Sequence, residues 1–108
     1  MPNSQQFIDF VMEMMASSVI AKKMFGGHGL FRESLMFALV VDDQLYFKTD
    51  EALAEQFCNL DLTRFSYKKR GETCYINYYQ APEVCFDDPE EMQHWAEAAF
   101  NVARVAAK

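Results

Sequence analysis

The chain is poor in the residues that usually make a small protein's chemistry legible. Cysteine occurs three times, at Cys58, Cys74 and Cys85, with no Cys-x-x-Cys pair. An odd number at such spacings argues against a disulfide framework and against a standard zinc site, leaving reduced, mostly buried thiols as the plain reading. The longest unbroken apolar run, Leu35 to Val41, falls far short of the roughly 20 residues that span a bilayer. No basic region followed by an apolar one opens the chain, so a secretory leader is not indicated either. These absences point to a soluble, cytoplasmic protein with no membrane partner. Basic residues are also scarce: ten Lys and Arg stand against sixteen Asp and Glu, for a net charge of -6. Nucleic-acid affinity comes largely from phosphate neutralisation, so this balance weighs against a whole-surface footprint and leaves room only for a local basic patch.

Apolar side chains, in contrast, are abundant. Hydrophobic residues make up 51% of the 108 and aromatics 15%, with ten Phe and seven Met. A chain of this length folds as one domain, 1–108, and buries about two thirds of its unfolded surface. Part of the apolar surplus is then available to a partner.

Periodicity gives the elements. PNSQQFIDFVMEMM reads as a helix, with Asn3 as N-cap, Gln6 in the reciprocal capping-box position, and Phe7, Val11, Met14 and Met15 on one face. Ser17 and Ser18 end it. From Val19 to Phe31 the chain reads as one extended stretch interrupted by Gly26, Gly27 and Gly29, followed by the strands LMFALVV and QLYFKT, with tight polar turns at Glu33-Ser34 and Asp42-Asp43. Thr49 or Asp50 caps a short second helix carrying Leu53, Phe57 and Leu60. Two strands surround Arg70-Gly71-Glu72, and Asp88, Pro89 and Glu91 start a last helix with Met92, Trp95, Ala99, Val102 or Ala103, and Ala106 along one face. The order α-β-β-β-α-β-β-α implies an α+β two-layer sandwich on an antiparallel five-stranded sheet. In strict alternation, Leu35, Phe37, Leu39 and Val41 point one way and Met36, Ala38 and Val40 the other, so both faces of that strand need cover. Either the helices wrap both faces, or a homodimer covers the second.

Candidate chemistry is thin. GGHG lacks the strand-to-helix context and the spacing of a phosphate loop, and a strand bend or bulge is the favoured reading. His28 has no metal-ligand companions at ligand spacing, although a pairing with one of the three cysteines stays open from sequence alone. The carboxylate pairs fall at turns and a helix start, where turn chemistry and the helix dipole account for them. No catalytic residue, cofactor or metal is expected. The segment FSYKKRGETCYINYY alternates bases and aromatics, so the hairpin of residues 65–79 is a candidate nucleic-acid binder through Lys68, Lys69 and Arg70, extended by Lys22 and Lys23 if the first strand lies near. Solubilising edge-strand charges are the alternative.

Four segments carry a family resemblance: KMFGGHGLFRESLMFALVVDDQLYFKTDE, then FSY at Phe65 to Tyr67, INYYQAPEV, and DDPEEMQHWA. Together the chain resembles the N-terminal domain of the TfoX/Sxy family, bacterial regulators of competence for DNA uptake. The resemblance implies a sandwich similar to secretion chaperones. It also implies a non-enzymatic role in DNA transformation through protein partners, such as the transcription machinery or the cyclic-AMP receptor protein. It supplies no catalytic residue, and the family's helical C-terminal domain is absent from these 108 residues. The exposed edge of the glycine stretch, Gly26, Gly27, His28 and Gly29, is the candidate partner-binding site.

Overall fold

The structure, a computed structural model, describes residues 3–24 and 26–107, so Pro2 of the expected first helix and Phe25 of the glycine stretch lie outside the described residues. Its elements run α1 (Gln5–Met14), β1 (Ile20–Met24), β2 (Gly27–Arg32), β3 (Leu35–Val41), β4 (Gln44–Lys48), α2 (Glu51–Asn59), β5 (Arg64–Lys69), β6 (Glu72–Gln80), α3 (Val84–Asp87) and α4 (Pro89–Ala106). The architecture is α+β, and the antiparallel sheet has six strands in the order β1-β2-β3-β4-β6-β5, one more than expected. The extra strand comes from the glycine stretch. Gly26 takes a φ of +79°, which turns the chain back on itself and splits one bent strand into the β1–β2 hairpin.

The other turns form where the sequence places them. Glu33-Ser34, Asp42-Asp43 and Arg70-Gly71 each have positive φ at both residues, the type I′ geometry whose twist matches a two-residue hairpin. Asp50 caps α2 by accepting from the Leu53 amide, and Asp88 caps α4 by accepting from the Glu90 amide, with Pro89 in the first turn. On α4 the buried stripe is Met92, Ala96, Ala99, Phe100 and Ala103, whereas Ala106 is exposed.

Strand β3 departs from simple alternation. Leu30 of β2 pairs with Ala38 and Phe31 pairs with Met36, which leaves Phe37 as an unmatched residue in a bulge. The bulge shifts the phase of the strand. Phe37, Ala38 and Val40 all join the core and Leu35 packs against it, while Met36, Leu39 and Val41 fall on the opposite face. Phe37 meets Phe100 of α4 edge-on, with ring centroids 6.3 Å apart.

The four helices among the described residues all cover that one side. α4 lies on β3 and β4, α2 on β6, and α1 and α3 pack against α4. The core between the layers joins Val11, Leu30, Phe37, Val40, Leu45, Phe47, Phe57, Met92 and Phe100. Arg32 closes one end, its guanidinium 4.2 Å from the Phe100 ring and 2.6 Å from the Glu97 carboxylate. None of the helices is long and apolar enough to cross a membrane, among the described residues.

Gly27 sits where no side chain fits, because a Cβ there would come 2.5 Å from the Val40 carbonyl oxygen. Gly27→Ala is therefore expected to cost about 2–4 kcal/mol in urea unfolding. Gly26→Ala faces open space and only the positive-φ penalty, so a loss of about 1 kcal/mol is expected. Equal losses at the two positions would count against the close-packing account.

Candidate interaction surface

His28 is committed to structure. Its Nδ1 lies 2.9 Å from Asn3 Nδ2, which also donates to the Val40 carbonyl at 2.7 Å. The Asn3 carbonyl in turn accepts from the Asp43 amide at 2.9 Å, and the Ser4 amide donates to the Asp43 carboxylate at 2.7 Å. Asn3 thus joins the start of α1 to β2, β3 and the β3–β4 turn. The helix cap passes to Ser4, whose Oγ accepts from the Phe7 amide, and this takes Gln6 out of the capping-box position.

The thiols stand apart from that cluster. Cys58, exposed on α2, donates to the Tyr79 hydroxyl at 3.5 Å; Cys74 pairs opposite Tyr67 beside the β5 edge; and Cys85 is buried in α3. Burial pushes the Cys85 thiol up to about 12, with Glu91 adding to the effect. Among the described residues no three His, Cys, Asp or Glu side chains gather as a metal site.

The larger feature is the side of the sheet that carries no helix among the described residues. Strand pairing puts Ile20, Lys22 and Met24 of β1, Gly27, Gly29 and Phe31 of β2, and Met36, Leu39 and Val41 of β3 on it. Tyr46 and Lys48 of β4 and Tyr78 of β6 continue it. Leu39 is only 7% exposed and Tyr78 5%, yet neither belongs to the core between the layers. Long neighbours on the bare face shield them instead. A Cβ on Gly29 would lie 2.6 Å from the Met24 sulfur and 2.8 Å from the Met36 sulfur, so both thioethers fold over the glycine trough of β2. Lys22 rests its ammonium 4.9 Å from the Phe31 ring, and Ile20 beside it is 58% exposed.

Towards the other edge the bare face is aromatic. Tyr46 meets Phe65 at 5.0 Å between centroids and Phe65 stacks with Tyr67 at 6.4 Å, a row that crosses above β6. Lys48 has its ammonium 5.4 Å from the Tyr78 ring. Burial raises the Tyr78 hydroxyl to about 12, and burial followed by the charge of Asp42 raises Tyr46.

The five nominated cations do not make one patch. β1 and β5 are the opposite edges of the sheet, five strand spacings or about 24 Å apart. Lys22 and Lys69 share the bare face; Lys23, opposite His28, and Lys68, bonded to Thr73, point to the helical side; and Arg70 occupies the hairpin tip. Of the other tyrosines in that hairpin, Tyr79 stacks on Phe57 beneath α2, and Tyr75 pairs with Ser66 on the far side of the hairpin from Tyr67. Sequence reading missed Lys48 and Tyr46, because only the insertion of β6 between β4 and β5 brings Tyr46 within reach of Phe65.

A family model described as the TfoX N-terminal domain matches residues 13–103. The chain is also similar to the DNA transformation protein TfoX1 of Aliivibrio fischeri, 29% identical over 101 residues that cover 94% of this chain and 47% of that protein. It spans about half the length of that relative.

Cys85 and Tyr78 both have ionisations raised by the fold, so folding favours their neutral forms. Their contribution is whole below the unfolded values of 9.0 and 10.0 and is lost as pH rises towards about 12. Thermal midpoints should accordingly hold level up to about pH 9 and fall above it, and Tyr78→Phe should flatten the decline above pH 10. Alkylation of the native protein near pH 8 should label exposed Cys58 well ahead of Cys85, which should react only on unfolding; fast labelling of Cys85 would contradict its burial.

Proposed function

Given that the chain belongs to the TfoX N-terminal domain family, we propose that it is a non-enzymatic regulatory module of DNA transformation that works by holding a protein partner. The observation that carries this reading is the bare apolar half-face on β1, β2 and β3, where Met24, Phe31, Met36, Leu39 and Val41 have no helix above them. Methionine is unbranched and polarisable, so a surface built from Met24 and Met36 adapts to a partner better than one of branched residues. The Gly26 to Gly29 segment belongs to the same site through the trough that lets those thioethers lie flat. His28 contributes indirectly, by fixing β2 to the start of α1.

The partner expected from the family is a component of the transcription machinery or the cyclic-AMP receptor protein. The expected likeness to secretion chaperones belongs to the same proposal, since a sheet with helices on one side only has its other side free for another chain. A second copy of this protein is the competing occupant of the half-face.

The test is expression of the chain in a transformable bacterium that lacks its own family member and carries a reporter for DNA-uptake genes. Reporter output should shift, and purified chain should crosslink to RNA polymerase or the cyclic-AMP receptor protein. Ile20→Glu and Met36→Glu, which place a charge on the half-face, should remove both effects while the circular dichroism spectrum is kept. An unmoved reporter with no crosslink to either protein would overturn the proposal. Sedimentation as a concentration-dependent dimer that Ile20→Glu dissociates would assign the face to a second copy instead.

A further inference from the structure

The two layers divide the charge. Strands hold seven of the ten basic residues, Lys22, Lys23, Arg32, Lys48, Arg64, Lys68 and Lys69, and one of the sixteen acidic ones, Glu72. Helices show the reverse, with eight carboxylates (Asp9, Glu13, Glu51, Glu55, Asp87, Glu90, Glu91 and Glu97) against Arg104 alone. Of the seven strand bases, Lys22, Lys48 and Lys69 face the bare side, where the strands add only Glu72, opposite Lys69; a net charge of -6 therefore conceals a helical side rich in carboxylates and a bare side on which strand bases outnumber strand acids.

On that sheet side, the β4–β6–β5 half carries the Tyr46–Phe65–Tyr67 row, with Tyr67 44% exposed at its outer end. Lys48 stands on the same face, and Lys69 follows Tyr67 by two residues along β5. We propose that this half-face binds single-stranded nucleic acid, its bases stacking on the aromatic row and its phosphates meeting Lys48, Lys69 and Arg70. The site is separate from the methionine half-face and does not depend on the reading given for it.

The rings decide the class of anion. Unpaired bases have π-faces free to stack on Tyr67 and Phe65, whereas a duplex keeps its bases stacked inside and offers the rings nothing. An acidic protein segment would use the lysines but has no need of the aromatics. The carboxylates of α2 and α4, on the opposite side of the sheet, disfavour a strand approaching from there and so orient the complex.

Fluorescence anisotropy of a labelled oligothymidylate about a dozen nucleotides long, at low salt, reads the interaction. Binding should weaken with salt at a logarithmic slope of about -2, as expected for three phosphate contacts on a single strand. Tyr67→Ala should weaken it roughly 5- to 100-fold, and Tyr67→Phe should leave it within about twofold. Lys48→Glu combined with Lys69→Glu should abolish it, while Lys23→Glu, on the helical side at the far edge, should not. Ile20→Glu should also leave it intact, which separates failure of this proposal from failure of the partner-docking one. The exposure of Tyr67 and Lys69 makes loss of folding a poor explanation for their effects, and a circular dichroism spectrum checks it. Equal affinity for duplex, full binding by Tyr67→Ala, displacement by polyglutamate at equal charge concentration, or no binding at about 50 mM salt would each overturn the proposal.

Discussion

Phe37 is one residue more than β2 can match, and the division of the sheet into two unlike faces rests on how that surplus is absorbed. With the bulge, Phe37 reaches Phe100 while Ala38 and Val40 stay in phase with Leu30, Leu45 and Phe47, so one side of the sheet gathers the core. Without it, the phase set by Leu35 and Phe37 would carry Leu39 and Val41 into the core and expel Ala38 and Val40. A bulge disrupts one step of the ladder locally, and in exchange a side chain as large as Phe37 is buried under α4. The apolar character of the bare face is then a remainder, made of those residues that the phase change leaves outside.

That remainder is uneven. At β1 to β3 it is aliphatic and sulfur-bearing, laid over a strand with glycines at its centre; at β4 to β5 it is aromatic and cationic. Both halves are self-shielding, as the near burial of Leu39 and Tyr78 shows. A surface of this kind keeps its apolar atoms partly out of water without a covering helix. The helical layer contributes by default: caps and first turns favour carboxylates, so the acidic residues of Asp50-Glu51 and Asp88 to Glu91 gather there and leave the strands basic.

What the sequence made legible was local. The type I′ turns, the Asp50 and Asp88 caps and the Pro89 helix start depend on two to four consecutive residues, and each formed where those residues stand. The features it hid depend on distant ones. Asn3 looked like a cap because nothing nearby announces His28, Val40 and Asp43 as its partners, and with those bonds available the cap fell to Ser4. The bulge at Phe37 is a mismatch between two strands and so is invisible in either one. Strand order was equally hidden: the basic stretches at Lys22-Lys23 and Lys68-Lys69 read as one possible patch until the chain placed them on opposite edges. The family resemblance covered nearly the whole chain and agreed with an α+β architecture on an antiparallel sheet, but it left the expected strand count at five where there are six and did not reveal which face the helices leave bare.

Those two edges have a bearing on solubility. Each open edge strand leaves a line of backbone amides and carbonyls that a neighbouring molecule could extend into a continuous sheet. Both strands carry adjacent lysines, Lys22-Lys23 on β1 and Lys68-Lys69 on β5, and adjacent positions on a strand project to opposite sides. Any chain laid alongside would bring its own strand against a buried charge above and another below. The paired lysines thus oppose extension of the sheet beyond six strands, a protection that matters in a chain with half its composition apolar.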